Sequence, residues 1–466
     1  MIYKLQAILG PEYVLQGKDA EKWSHDWTGQ YQFTPLAVVR PASTAEVSAV
    51  MKLAHEAGMP VVPVSGNTGL AGGTRADGAL MLSVDRMNRI RDIRPDARIA
   101  IVEAGVILQT IQEAAEEQGM IFPLTFGAKG SAMAGGFLST NAGGSNVLRY
   151  GNTRDLCLGL EVVLPDGEVL DIMSELHKDN SGYNLRHLMI GAEGTLGIIT
   201  AAVLKLHPKP LAYGTAMVAA PSLSDALELL NRLQEATGGK VEAFEYMPRN
   251  YIAHHQRIKG GKPPFDADYD VNILVEVASA SAADCTEDDS GQTPLARHLE
   301  TVLEGLFQDR LVLDAVVAQS GAQRAEMWAR REAAAEVILS KLPLVNNDIA
   351  VPLDKVATFL EIMGEKLPQV DAGAEDVSVA HLGDGNVHYA VWAGNDDPAV
   401  HDRIMETVED VVISLGGSFS AEHGIGTSKL SSMARRKNPV AVRTMKAIKA
   451  ALDPKGIMNP GKVLPE

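Results

Sequence analysis

Three glycine-rich clusters, each entered from an apolar run, constrain this chain more than any other feature. The first, VVPVSGNTGLAGG, sets a strand-like stretch directly before Gly66, Gly69, Gly72 and Gly73. The second, FGAKGSAMAGGFLSTNAGGSNVLRYGNTRD, holds Gly127, Gly130, Gly135, Gly136, Gly143, Gly144 and Gly151 among small polar residues. The third, GAEGTLGIIT, follows the apolar LMI. A loop without Cβ atoms can turn its backbone N–H groups inward and admit an anion closely. Tight turns explain any one such cluster. Three in one region point to a bulky pyrophosphate ligand lying along backbone. A nicotinamide-binding unit does not fit, because SGNTGLAGG lacks the GxGxxG spacing and GAEGTLG leads into the β-branched IITAAV rather than into a helix.

Texture divides the chain. From residue 35 to about 207, β-rich runs alternate with short helices and many glycines. Ser43 or Thr44 with Glu46 predicts a capped helix start, Gly58 its stop, and EVVLPDGEVL a hairpin on an Asp-Gly turn. From about 211 to 420 long amphipathic stretches such as SLSDALELLNRLQEATGG are separated by strands such as VNILVEVA, as in a separate α+β domain. KGGKPP and SASAADCTEDDSGQT read as exposed loops, and AVRTMKAIKAALDPKGIMNPGKVLP as a helix ending near Asp453-Pro454 followed by coil.

SVAHLGDGNVHYAVW predicts a second hairpin, since β-prone residues flank Gly383-Asp384-Gly385-Asn386. With those four residues as the loop, Leu382 pairs with Val387 and His381 stands opposite His388, close enough for one divalent ion. Downstream, GSFSAEHGIGTSK sets Glu422 beside His423 before Gly424 and Gly426, so that one side chain can serve a metal and the other a substrate. Only Cys157 and Cys285 are present, so any metal uses His and carboxylates. Zinc is the default for two histidines and a carboxylate, with manganese or iron also fitting. The HExxH pattern of a zinc protease helix is absent.

The 466 residues carry 42 Lys+Arg against 59 Asp+Glu, a formal net charge of −17, so the overall field repels nucleic acid and anionic membrane surfaces. No stretch reaches the roughly eighteen apolar residues of a spanning helix, and the expected setting is soluble and cytoplasmic.

The order PLAVVRPASTAEV, PVSGNTGLAGG, GSAMAGGFLSTNAGG, GAEGTLGIIT, HLGDGNVH, AEHGIG and NPGKV resembles the FAD-linked oxidases of the vanillyl-alcohol oxidase superfamily. Within it the chain is most similar to the D-2-hydroxyglutarate and D-lactate dehydrogenases and the glycolate oxidase flavin subunit. The resemblance implies an α+β protein: a two-subdomain FAD-binding domain over 1–207, an α+β substrate cap over 208–420, and a C-terminal segment, 421–466, returning to the flavin. It maps FAD contacts to Pro63, Ser65, Gly66, Asn67, Thr68, Gly69 and Leu70, to Pro123, Gly127, Ser131, Gly135, Gly136, Ser139, Asn141 and Ala142, to Glu193, Gly194, Ile198 and Ile199, and to Asn459. Metal ligands carry over to His381, His388 and Glu422, the proton acceptor to His423, and the substrate arginine to Arg331 in MWARREAA. Asn67 stands at the position aligned with a covalent flavin histidine, so the FAD is expected to be noncovalent.

Relatives acting on 2-hydroxyglutarate tend to have Thr where Ala335 stands, and Lys where NND supplies Asn346. The implied activity is oxidation of a D-2-hydroxy acid of the 2-hydroxyglutarate or malate type to the 2-keto acid, with D-lactate or glycolate as the alternative substrate. A non-redox metal hydrolase, or a flavin-binding relative without turnover, are the readings from other classes. An electron acceptor is needed, whether an electron-transfer flavoprotein, a quinone or a cytochrome, and a homodimer is compatible with all of this.

Overall fold

Ser43 accepts a hydrogen bond from the Glu46 N–H, and Glu46 Oε2 reaches back to the Ala42 N–H, so helix Thr44–Ala57 begins where its sequence indicates. Gly58 ends it in the left-handed conformation at φ 63. The computed structural model describes residues 1–287 and 291–466; three residues of the expected loop SASAADCTEDDSGQT, 288–290, lie outside them. The chain forms two compact units. The first comprises Met1–Gly143, Gly151–Pro208 and Glu422–Glu466, and the second Gly144–Tyr150 and Lys209–Ala421.

The first unit contains two main sheets. In one, Ala37–Val39, Leu80–Ser83 and Val61–Val64 run parallel, with Val14–Leu15 antiparallel at the edge. These strands are buried on both faces, as their continuous apolar sequences require. The other sheet is antiparallel, in the order Ile90–Arg94, Ile99–Glu103, Ile198–Lys205, Cys157–Val163, Val169–Ile172. Its last two strands are the expected Asp-Gly hairpin, with Gly167 at φ 86. Helix Pro439–Leu452 stops before Asp453, and the coil after it returns to the first sheet, where Met458 bridges Val61.

The second unit is built on one antiparallel sheet in the order Asp314–Val317, Ala212–Ala220, Val271–Ser279, Val241–Pro248, Glu375–His381, Asn386–Trp392, Leu344–Ala350. Helix Leu223–Thr237 buries Ala226, Leu229, Leu230 and Leu233, the 3–4 spacing of one helix face, into the core on one side of this sheet. On the other side Met217, Met247, Leu274, Val379 and Trp392 form a second core with helix Gly321–Glu332, which contributes Met327. The piece Gly144–Tyr150 leaves the second glycine cluster to join this unit. The Tyr150 hydroxyl donates to the buried Glu242, and Arg149 Nη1 stands 2.9 Å from the same carboxylate.

Candidate active site

In the first unit the three glycine clusters pack directly on one another. A Cβ on Gly66 would stand 2.1 Å from the Ser131 carbonyl oxygen, and one on Gly194 would stand 2.4 Å from Pro63 Cγ. Gly66 therefore joins the first cluster to the second, and Gly194 the third to the first. Gly69 and Gly127 differ: their φ angles are ordinary and a Cβ would meet nothing within 4 Å. Neither backbone nor packing demands glycine there, which leaves room for a ligand. Among the described residues, the N–H groups of Gly66 through Leu70 make no bond to a backbone carbonyl, as an anion cradle requires.

Four residues that the resemblance assigns to the flavin adopt left-handed backbone: Asn67 (φ 53), Asn141 (φ 51), Glu193 (φ 50) and Asn459 (φ 40). Non-glycine residues so placed cost on the order of 1–3 kcal/mol each and cluster at ligand sites. Asn459 is 2% exposed; its Nδ2 donates to the Gly73 and Glu193 carbonyls, while its Oδ1 is buried with no hydrogen-bond partner. That orphan acceptor is suited to an N–H on a bound ring system. The remaining residues of the set have mixed surroundings. Pro63 lies on strand Val61–Val64, Gly135, Gly136 and Ser139 on the short helix Ala134–Ser139, and Ser65, Thr68, Leu70, Pro123, Ser131 and Ala142 outside regular elements. Ile198 and Ile199 open strand Ile198–Lys205, and the Ile198 side chain is buried in the core.

The Glu193 side chain is turned to the protein itself. Its two carboxylate oxygens accept the N–H groups of Ile425 and Gly426, each at 2.7 Å. Burial pushes this carboxyl above the usual range, and the two N–H groups oppose that.

In the second unit the two histidines of the expected hairpin lie on neighbouring strands, with one correction to their register. The turn comprises Leu382–Gly385, so His381 pairs with Asn386 and Val379 with His388. The histidines are consequently diagonal rather than directly opposed, on one face of the sheet. Their ring centroids are 5.2 Å apart at 80°; long side chains on a diagonal pair reach each other. Gly383 sits under Leu148, whose Cδ2 would be 2.7 Å from a Cβ there.

Each histidine faces a buried carboxylate on the strand that flanks it. Glu245 pairs with His381, and Asp348 with His388. His381 Nδ1 donates to Glu245 Oε1 at 2.9 Å, and His388 Nδ1 stands 3.6 Å from Asp348 Oδ1. A carboxylate only accepts, so His381 turns its Nδ1–H to Glu245, the orientation of metal-ligating histidines. Burial raises the Glu245 carboxyl, but the His381 and Arg331 charges outweigh it and hold the group at about 2. Burial, helped by the nearby Glu245 and Asp348 carboxylates and opposed by His381 and the Asn386 N–H, pushes Asp384, in the turn, up to about 6.

Arg331, near the end of helix Gly321–Glu332, is 7% exposed. Its Nε stands 2.8 Å from Glu245 Oε2, an ion pair not aligned as a hydrogen bond, and its Nη2 is buried without a hydrogen-bond partner. Glu245 thus touches both the imidazole and the guanidinium. Ala335 and Asn346 are both exposed. Ala421 closes this unit by donating its N–H to the Asp348 carbonyl at 3.2 Å, and Glu422 and His423 follow it directly in sequence.

Sequence reasoning missed Glu245 and Asp348. Their only sequence signal is an acidic residue inside a strand-like run, AFEYM for Glu245 and the more polar VNNDIAV for Asp348.

The first unit thus holds a glycine-rich backbone cradle and the second a histidine–carboxylate–arginine cluster. Residues 35–173 match the model of an FAD binding domain, and residues 209–463 that of the C-terminal domain of FAD linked oxidases. The chain belongs to the FAD-linked oxidases. It is 34% identical to a D-2-hydroxyglutarate dehydrogenase of Xanthomonas citri pv. viticola over 98% of this chain and 95% of that one. To the mitochondrial D-2-hydroxyglutarate dehydrogenase of Bos taurus it is 33% identical, over 99% and 82% of the two chains. Among solved structures, p-cresol methylhydroxylase superposes with a TM-score of 0.73 over 99% of this chain and 95% of that one, at 18% identity, which shows the fold. The two-unit vanillyl-alcohol oxidase architecture is therefore established, with FAD as cofactor. No helix among the described residues is long and apolar enough to cross a membrane.

Proposed function

We propose that this protein oxidises a D-2-hydroxy acid with two carboxylates, of the 2-hydroxyglutarate or malate type, to the 2-keto acid. The observation that carries this reading is Glu245, which holds His381 and Arg331 side by side and leaves a buried guanidinium nitrogen unmatched. An orphaned, buried guanidinium fits a carboxylate, and the relatives' printed names agree with a hydroxy dicarboxylate.

The residue set named above would hold FAD noncovalently, Glu193 through its main chain only, with the N–H groups of Gly66–Leu70 as donors for the pyrophosphate and Asn459 Oδ1 as an acceptor for the ring. His381 and His388 are metal ligands, each oriented by its carboxylate, with Glu422 as the third; zinc suits this donor set, as would another divalent ion. When bound, the zinc acidifies the substrate hydroxyl and the flavin accepts a hydride. His423 takes the hydroxyl proton near neutral pH. Arg331 pairs the distal carboxylate through its guanidinium. The two electrons then leave to a separate acceptor, an electron-transfer flavoprotein, a quinone or a cytochrome. Ala335 and Asn346, standing where relatives tend to have Thr and Lys, remove two polar partners, which makes D-lactate the second substrate candidate.

Anaerobic bleaching of the flavin by a panel of D- and L-2-hydroxy acids tests the reading. D-Dicarboxylates should bleach it fastest, and chelation of the metal, or His388→Ala, should stop bleaching while FAD stays bound. Failure of every hydroxy acid to bleach a yellow, metal-loaded protein refutes it.

A further inference from the structure

The segment that carries His423 is fastened to the glycine clusters at an unusual density. Beyond the two bonds from Ile425 and Gly426 to Glu193, the N–H groups of Thr427 and Ser428 both donate to the Ala71 carbonyl, at 2.9 and 3.1 Å. The Thr427 hydroxyl donates to the Gly72 carbonyl, and the Gly426 carbonyl accepts the Val463 N–H at 3.0 Å. Gly426 can be no other residue, because a Cβ would stand 2.0 Å from the Ala71 carbonyl oxygen. On Gly424 a Cβ would stand 2.7 Å from Glu193 Oε1.

Glu193 is the side chain at the centre of these contacts. It belongs to the third glycine cluster and its own backbone is strained at φ 50. Its N–H donates to the Ser139 carbonyl of the second cluster, its carbonyl accepts Asn459 Nδ2, and its carboxylate crosses to the His423 segment. A buried carboxylate needs such a set of N–H donors to remain there ionised.

We propose that Glu193 is a positioning residue for His423: by holding the main chain at Ile425 and Gly426 it fixes where the imidazole stands relative to the flavin cradles. This rests on the reading of His423 as the proton acceptor. The resemblance assigns Glu193 to flavin contact; here its carboxylate is engaged by the base segment instead. Misplacement of a reacting group by about 1 Å can cost roughly 10²-fold, so removing one of two matched bonds should slow the proton-transfer step without releasing the cofactor.

The test uses the FAD- and metal-loaded protein, with flavin reduction followed by stopped flow, flavin content by absorbance and metal content by elemental analysis. His423→Asn comes first. If it reduces as fast as the unaltered protein, the assignment of the base fails, whatever Glu193 does. Given a loss there, Glu193→Gln should keep FAD and metal but reduce the flavin roughly 10–10²-fold more slowly. The double variant should be no slower than His423→Asn alone, since without the imidazole nothing remains to be positioned. Loss of FAD, an unchanged rate, or additive losses in the double variant would each overturn the proposal. Should Glu193→Gln not fold, Gly424→Ala leaves the carboxylate in place and displaces the segment from it. It should slow reduction in the same way, and an unchanged rate there also overturns the proposal.

Discussion

In the first unit Gly66 has a backbone oxygen 2.1 Å from where its Cβ would stand, and the candidate flavin site is made almost entirely of main chain. In the second, the candidate substrate site is four side chains on adjacent strands, Glu245, His381, His388 and Asp348, joined by Arg331 from a helix. The difference teaches how each site tolerates change. A main-chain site depends on the absence of atoms at a few glycines, so most substitutions that ruin it do so by adding bulk. A side-chain site depends on the presence of particular groups, and substitutions there remove chemistry while leaving the other unit's ligand in place.

The sharpest way to break this contrast is Gly66→Ala. The added methyl meets a carbonyl rather than a flexible side chain, so the first and second clusters must part. Overpacking of this kind costs typically about 1–3 kcal/mol or more, and it falls directly on the flavin cradle. The protein should purify colourless, with no FAD released on denaturation. A yellow Gly66→Ala protein would show that the clusters need not pack as they do here.

A smaller and more selective effect is expected at Arg331. Breaking a charge-assisted contact costs on the order of 2–5 kcal/mol, and only for substrates that make it. Arg331→Ala should lower kcat/KM for a D-dicarboxylate far more than for D-lactate, with FAD retained. Because Glu245 loses a neighbour as well, thermal unfolding must be measured alongside; equal losses on both substrates would assign Arg331 to the carboxylate they share.

The two units were also unequally legible in the sequence. Local signals gave reliable elements: Ser43 with Glu46 and Gly58 bounded a helix, and Asp166-Gly167 closed a hairpin. The hairpin of His381 and His388 was legible too, but its register was not. A loop of 382–385 and one of 383–386 share Gly383, Asp384 and Gly385, and only pairing with Val241–Pro248 and Leu344–Ala350 distinguishes them. Glu245 could not be read as part of the site, because its histidine partner lies 136 residues away along the chain. The same holds for Glu193, whose carboxylate closes on residues 232 and 233 positions distant. Glycine spacing indicated that a backbone cradle exists, but not which glycines pack and which leave space.

That last distinction yields the smallest expected effect. Gly69 and Gly66 sit three residues apart in one loop and look alike in sequence. Yet Gly69 has an ordinary φ, and no protein atom lies within 4 Å of where an added methyl would stand. Alanine at such a position does not strain the folded chain, and by narrowing the unfolded ensemble it stabilises by about 0.4–1 kcal/mol. Gly69→Ala should therefore match or slightly exceed the unaltered protein in thermal stability when both are stripped of FAD. If the space beside Gly69 belongs to the flavin, the same methyl should weaken FAD binding by roughly tenfold, about 1–2 kcal/mol of steric conflict. Titration of stripped protein with FAD measures the one and differential scanning fluorimetry the other. Unchanged affinity would mean that the open space at Gly69 faces solvent and that the cradle is narrower than Gly66–Leu70. Lost stability without ligand would mean that packing, not the flavin, requires glycine there, and the contrast with Gly66 would disappear.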